Sequence, residues 1–101
     1  MYIFNTTYHA ETAVKDDFTA WLRQVYIPAA TLCGRLTAPQ LCRVIAGETS
    51  EGENFSLQFR VTDRRTLEVW YDKTGADLDL SMRKRFGNRV LGFNTLLEIL
   101  D

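Results

Sequence analysis

Phe55-Ser56-Leu57-Gln58-Phe59-Arg60-Val61-Thr62, followed at once by Asp63, is the stretch that decides the fold. Apolar and polar side chains alternate without a fault, the period of a strand with one face buried. Phe55, Leu57, Phe59 and Val61 make the buried face; Ser56, Gln58, Arg60 and Thr62 make the other. Asp63 is a good helix N-cap, because its carboxylate can accept from an unpaired N–H of the first turn. Behind it Leu67, Trp70 and Tyr71 recur at helical spacing. Gly75 predicts an interruption, Leu78, Met82 and Phe86 resume the stripe over Asp77–Phe86, and Gly87 ends it. Arg89–Leu100 reads as a last strand, with Gly92 a bulge or a point of close approach.

The half upstream has the same plan. Tyr2–His9 alternates and is rich in aromatic and β-branched residues, so it reads as a strand. From Glu11 the period changes: Val14, Phe18, Trp21, Leu22, Val25, Ala29 and Leu32 form a helical stripe. Pro28 predicts a kink or a second short helix, since it has no N–H and disfavours helical geometry at Ile27; Gly34 is the stop. Gln40–Ala46 reads as the second strand and polar, glycine-punctuated Gly47–Asn54 as a hairpin loop.

Strand, helix, strand, twice over, gives an α+β fold: a ferredoxin-like βαββαβ sandwich, with a four-stranded antiparallel sheet and two helices on one face. Right-handed crossovers fix its hand. The plan uses nearly all of residues 1–101, which predicts a single domain without a long catalytic loop. A chain this size buries roughly 65% of its unfolded surface, enough for one core.

Composition narrows the partners. Net charge is −1, which argues against nucleic acid or an anionic membrane as bulk electrostatic partners. No apolar run approaches the ~20 residues of a membrane span, and the N-terminal residues lack the basic region of a secretory signal. The expectation is a cytoplasmic protein. Cys33 and Cys42 have no CxxC or metal-type spacing and read as reduced, partly buried thiols, although the sequence leaves a disulfide between them open. No cofactor and no metal is expected.

Strand one sets Tyr2, Phe4, Thr6 and Tyr8 against Ile3, Asn5, Thr7 and His9; the first set is more apolar and is expected under the helices. Strand four sets Leu91, Phe93, Thr95, Leu97 and Ile99 against Val90, Gly92, Asn94, Leu96, Glu98 and Leu100, and both sets are partly apolar. A strand apolar on both sides has both sides covered, most simply by a second copy of the chain. The open face is therefore expected to carry Ile3, Val90, Leu96 and Leu100 among Asn5, Thr7, Gln58, Arg60 and Asn94, and to pair as a homodimer around a cleft between sheets.

Within that cleft Arg60, with Asn5, Gln58 and Asn94, makes a polar patch able to hold a carboxylate or carbonyl, unless these groups satisfy one another. Thr7 and His9 lie beside it. His9, the only histidine, lacks an orienting carboxylate other than sequence-adjacent Glu11. Trp21 reads as core and Tyr26 as a pocket-lining aromatic. Arg83-Lys84-Arg85 matches a helix C-terminal dipole, and Asp77 and Asp79 read as helix-start charges. RNA-binding domains share this strand order, but they need exposed aromatics on strand three, and here those aromatics face inward. No phosphate loop or nucleophile elbow is present.

Tyr2-Ile3-Phe4-Asn5-Thr6-Thr7, Trp21-Leu22 before Ile27-Pro28 and Gly34, and Arg85-Phe86-Gly87 leading into Phe93-Asn94-Thr95-Leu96-Leu97-Glu98-Ile99-Leu100 together resemble the DUF4286 family. These are small bacterial proteins of uncharacterised function, similar in turn to the dimeric α+β barrel proteins. The resemblance implies a ferredoxin-like protomer that pairs sheet to sheet, and no established activity. In relatives a histidine is expected just before the Ile-Pro; here Tyr26 stands, a poor substitute for proton chemistry near neutral pH. No catalytic residue is assigned. The expected function is binding of a small organic molecule by a homodimer, the alternative being a cofactor-independent monooxygenase- or isomerase-like enzyme.

Overall fold

The computed structural model describes residues 1–45 and 51–101. β1 (Tyr2–Glu11) is followed by α1 (Lys15–Trp21), a π-helical turn (Leu22–Tyr26), α2 (Ile27–Thr31) and β2 (Thr37–Arg43). The second half runs β3 (Gly52–Val61), α3 (Arg64–Trp70), a π-helical turn (Tyr71–Gly75), α4 (Ala76–Phe86), one 3₁₀ turn (Gly87–Arg89) and β4 (Val90–Glu98). The strands form one antiparallel sheet in the order β2-β3-β1-β4, with the helices on one face, the ferredoxin-like arrangement.

The core is where the alternation of β3 places it. Phe55, Leu57, Phe59 and Val61 are buried, as are Phe4, Thr6 and Tyr8 of β1. Phe18 of α1 packs edge-on against Tyr8 and Phe86, with ring centroids 5.0 and 5.4 Å away, so one ring ties the sheet to both helical segments. Each such pair contributes about 0.5–1.5 kcal/mol beyond area burial. Asp63 caps α3 by accepting from the Thr66 N–H at 2.7 Å. Gly87, at φ 58°, closes α4 in a conformation that favours glycine.

Both expected interruptions occur as π turns rather than breaks. Pro28 has no N–H to give Gln24, and the turn ahead of it widens so that Ile27 N–H bonds Leu22 C=O, five residues back. The extra residue rotates the stripe. Val14, Phe18, Trp21 and Leu22 are buried, but the stripe then continues through Tyr26 and Ala30 instead of Val25, Ala29 and Leu32. Val25 is 45% exposed and Leu32 88%, which corrects the straight-helix reading. In the second half Ala76 N–H bonds Tyr71 C=O across the other π turn, ahead of the continuing helix.

Other boundaries shift modestly. β1 stays paired to Glu11, so α1 starts at Lys15 rather than Glu11. β2 begins earlier than expected, with an irregular register between Thr37 and Gln40 where Ala38 takes φ 50°. β3 begins at Gly52, inside the expected loop; Ala46 and residues 47–50 of that loop lie outside the described residues. Cys33 and Cys42 are unpaired and exposed, not partly buried.

Gly75 is packed under Trp70: a Cβ there would lie 2.5 Å from Trp70 Cζ3 and 2.9 Å from Tyr71 Cδ1. Glycine-to-alanine in an ordinary helix interior stabilises by up to about 1 kcal/mol. Here the sign reverses, because the indole is buried and held in place by its N–H bond to Ala30 C=O. Gly75→Ala is expected to destabilise by about 1–3 kcal/mol in urea unfolding. A neutral or stabilising result would mean that the Trp70 ring is free to shift.

Candidate functional site

β1 sends alternate side chains to opposite faces, and its pairing with β4 decides which β4 residues join them. Phe4 lies opposite Leu96, Thr6 opposite Asn94, Tyr8 opposite Gly92 and Ala10 opposite Val90. Directly opposed residues of an antiparallel pair share a face, so Val90, Gly92, Asn94 and Leu96 point to the helices. Expecting Val90, Leu96 and Asn94 on the open face was wrong. Val90 is buried, and Asn94 Oδ1 accepts from the buried Thr6 hydroxyl at 2.9 Å. Both β4 sets are partly apolar, so composition alone could not orient the strand.

The open face therefore carries Leu91, Phe93, Thr95 and Leu97 on β4, Ile3, Asn5, Thr7 and His9 on β1, and Asn54, Ser56, Gln58 and Arg60 on β3. Five of the residues singled out from the sequence, Asn5, Thr7, His9, Gln58 and Arg60, do gather here. Several of these polar groups satisfy one another within the protomer. Ser56 Oγ donates to Asn5 Oδ1 at 2.5 Å, Asn5 Nδ2 to Thr7 Oγ1 at 3.1 Å, and His9 Nδ1 pairs with Asn54 Oδ1 at 2.7 Å. Along β4 the face carries a stripe of exposed apolar residues, with Phe93 64% and Leu91 62% exposed, while Gln58 and Arg60 continue its polar side on β3.

Tyr26 and Asn94 lie on the other side of the sheet, and there the structure has a cleft of about 360 Å³ between β1, β4 and the α3–α4 segment. Phe4, Tyr8, Tyr26, Trp70 and Met82 supply apolar wall; Thr6, Asn94, Tyr71 and Asp79 supply polar groups. The Trp70 ring is held by an indole N–H donated to Ala30 C=O at 2.9 Å, which also binds α3 to α2. Tyr26 is there because of the π turn, which brings position 26 rather than 25 inward.

The electrostatics follow from burial. Desolvation pushes the Tyr8 phenol up to about 12, against the hydroxyls of Tyr26 and Thr6, which favour its ionised form. Burial, with the neighbouring Tyr8, pushes Tyr26 up further. Both are neutral hydroxyls at physiological pH. Burial also raises the Asp79 carboxyl, opposed by the Tyr71 hydroxyl and Arg83. Tyr71 donates to Asp79 Oδ2 at 3.2 Å, and the charge of Asp79 raises the Tyr71 phenol in turn.

Sequence reading missed Asp79, Tyr8, Thr6 and Tyr71 as site residues. A signal existed for Asp79: Gly75, Asp79, Met82 and Phe86 follow one helical line, which puts a carboxylate inside an apolar stripe. Nothing local marks Tyr8, whose role depends on long-range register.

The raised phenols make stability pH-dependent. Unfolded tyrosines ionise near pH 10 while Tyr8 and Tyr26 stay protonated in the folded state. Stability is thus full below about pH 10 and falls as pH rises towards about 12, by up to about 1.4 kcal/mol per pH unit for each phenol. Denaturant unfolding between about pH 9 and about pH 11.5 is expected to show this decline, and the Tyr8→Phe, Tyr26→Phe double variant a flatter profile. Equal slopes would place both hydroxyls in water.

No curated protein matches the sequence. Solved structures do match in fold. HapK from Hahella chejuensis aligns with a TM-score of 0.74 at 16% identity, covering 99% of this chain and 93% of its own. An ethyl tert-butyl ether d (EthD) family protein from Bacillus halodurans aligns at 0.71 and 14% identity, covering 99% and 100%. A dimeric ferredoxin-like protein from an uncultured marine organism aligns at 0.70 and 12%, covering 99% and 95%. At such identities the likeness shows the fold alone, the ferredoxin-like arrangement. The sequence matches the family described as "Domain of unknown function (DUF4286)" over residues 1–100, and the chain belongs to that family.

Proposed function

We propose that this protein binds a small organic molecule in the cleft on the helix side of its sheet and forms a homodimer through the open side. The observation that carries the binding reading is the cleft itself. About 360 Å³ of space, within the usual range of small-molecule sites, is walled by aromatic rings and met by a few convergent polar groups. A core that only needed to be filled would close over such a space. The ligand site thus moves from between two sheets, where the sequence put it, to between sheet and helices within one protomer.

The dimer reading rests on the stripe of Leu91, Phe93 and Leu97, with Ile3 paired beside Leu97. Four neighbouring apolar side chains on a flat sheet face are more than a solvated surface usually leaves open. Asn5, Ser56, Thr7, His9 and Asn54 are matched to one another, while Gln58 and Arg60 find partners across the interface. A fold neighbour described as dimeric supports the same reading.

Two measurements check these proposals. Light scattering at micromolar concentration is expected to give a dimer, and Phe93→Glu a folded monomer, since a carboxylate at the centre of an apolar interface is expelled. A monomeric wild type removes the dimer. Thermal-shift screening with a library of small organic compounds is expected to give hits that vanish in Met82→Trp, whose indole fills the cleft. Hits that persist in that variant place binding elsewhere.

A further inference from the structure

The cleft has one feature its walls do not explain. Asp79 is half-buried among aromatic residues, and its only described hydrogen bond is the one it accepts from Tyr71. Among the described residues it takes part in no ion pair: the close pairs are Lys15–Glu53, Arg43–Glu53 and Arg65–Glu68. Arg83, one helical turn on, lines the same cleft and lowers the Asp79 carboxyl through its charge, but it is exposed to water and closes no ion pair with Asp79. A carboxylate drawn partly out of water without a close ion pair loses solvation that a distant, exposed cation restores only in part. The rings of Phe4, Tyr8, Tyr26, Trp70 and Tyr71 line the same space. The negative faces of such rings attract a cation placed within about 6 Å of their centroids.

Taking the cleft as the binding site, we propose that its ligand is an organic cation: a primary or secondary amine on an apolar body, its ammonium on Asp79 and its body among the rings of Phe4, Tyr8, Tyr26, Trp70 and Tyr71. A bare metal ion fits less well. Among the described residues no three His, Cys, Asp or Glu side chains gather to hold one. An anionic ligand meets the Asp79 carboxylate. A neutral ligand of the same shape gains the aromatic contacts but leaves Asp79 with only the charge of exposed Arg83 nearby. The rise in the Asp79 carboxyl caused by burial agrees with this, because an ammonium beside it relieves that desolvation.

Three probes of one shape separate the possibilities: 2-phenylethylamine, 2-phenylethanol and phenylacetate. Binding is read from the Trp70 indole N–H in proton–nitrogen NMR spectra, since that ring walls the cleft and its N–H is fixed on Ala30. The amine is expected to bind about tenfold tighter than the alcohol, with phenylacetate weakest. Asp79→Asn, close to isosteric, is expected to lose that advantage and leave the alcohol unchanged. If amine and alcohol bind the wild type equally, the cation assignment is overturned while the cleft remains a binding site. If the amine binds without moving the Trp70 signal, or binds Asp79→Asn as well as wild type, its site lies elsewhere and the assignment fails. If no probe moves that signal, the cleft reading falls with it.

Discussion

The register of β1 between its two neighbours is the constraint on which the rest depends. β1 lies second from one edge of the sheet and is hydrogen-bonded along its whole length to β3 on one side and β4 on the other. Its pleat sends Phe4, Thr6 and Tyr8 to the helices, and because opposed residues share a face, every neighbouring side chain is assigned with it. A slip of one residue would exchange the cleft for the open face. Tyr8 lies opposite Gly92, where a Cβ would come within 2.8 Å of the Tyr8 ring. The bare backbone at Gly92 lets that ring lie across β4, and the cleft opens beside it.

The helices respond to the sheet through their π turns. In each half a tryptophan, Trp21 or Trp70, comes just before the widened turn, and a tyrosine of that turn, Tyr26 or Tyr71, lines the cleft. An uninterrupted α-helix would bring Val25 inward instead of Tyr26. π turns give up regular hydrogen bonding and are found disproportionately at functional sites. In the first half the consequence is definite: the turn brings the Tyr26 phenol inward and leaves the aliphatic Val25 exposed.

Much of this architecture was legible from residues 55–63 outward, because alternation in β3 and helical spacing in Phe18–Leu22 and Leu78–Phe86 are local signals. Pro28 and Gly75 correctly marked where the helices depart from regularity, though not that the departure would be a π turn that shifts the phase. The face of β4 was not legible. Leu91, Phe93 and Leu97 are as apolar as Val90 and Leu96, and only pairing with β1 distinguishes them. The candidate site failed for that reason: Asn94 was grouped with Asn5, Gln58 and Arg60, which lie on the other side of the sheet. Tyr26 lines the cleft, but its neighbours in space, Tyr8 and Asp79, come from segments whose meeting no local pattern records.

The central claim is that the two faces of the sheet have different tasks, the helix side open to a ligand and the outer side closed by a second copy. Paramagnetic broadening by a small soluble nitroxide, applied to the full chain in solution, tests both faces at once. The Met82 methyl, in the cleft wall, is predicted to broaden, while the Phe93 ring, 64% exposed in the single protomer, stays sharp. A broadened Phe93 ring with a sharp Met82 methyl would contradict the account: the outer face would be bare and the cleft shut.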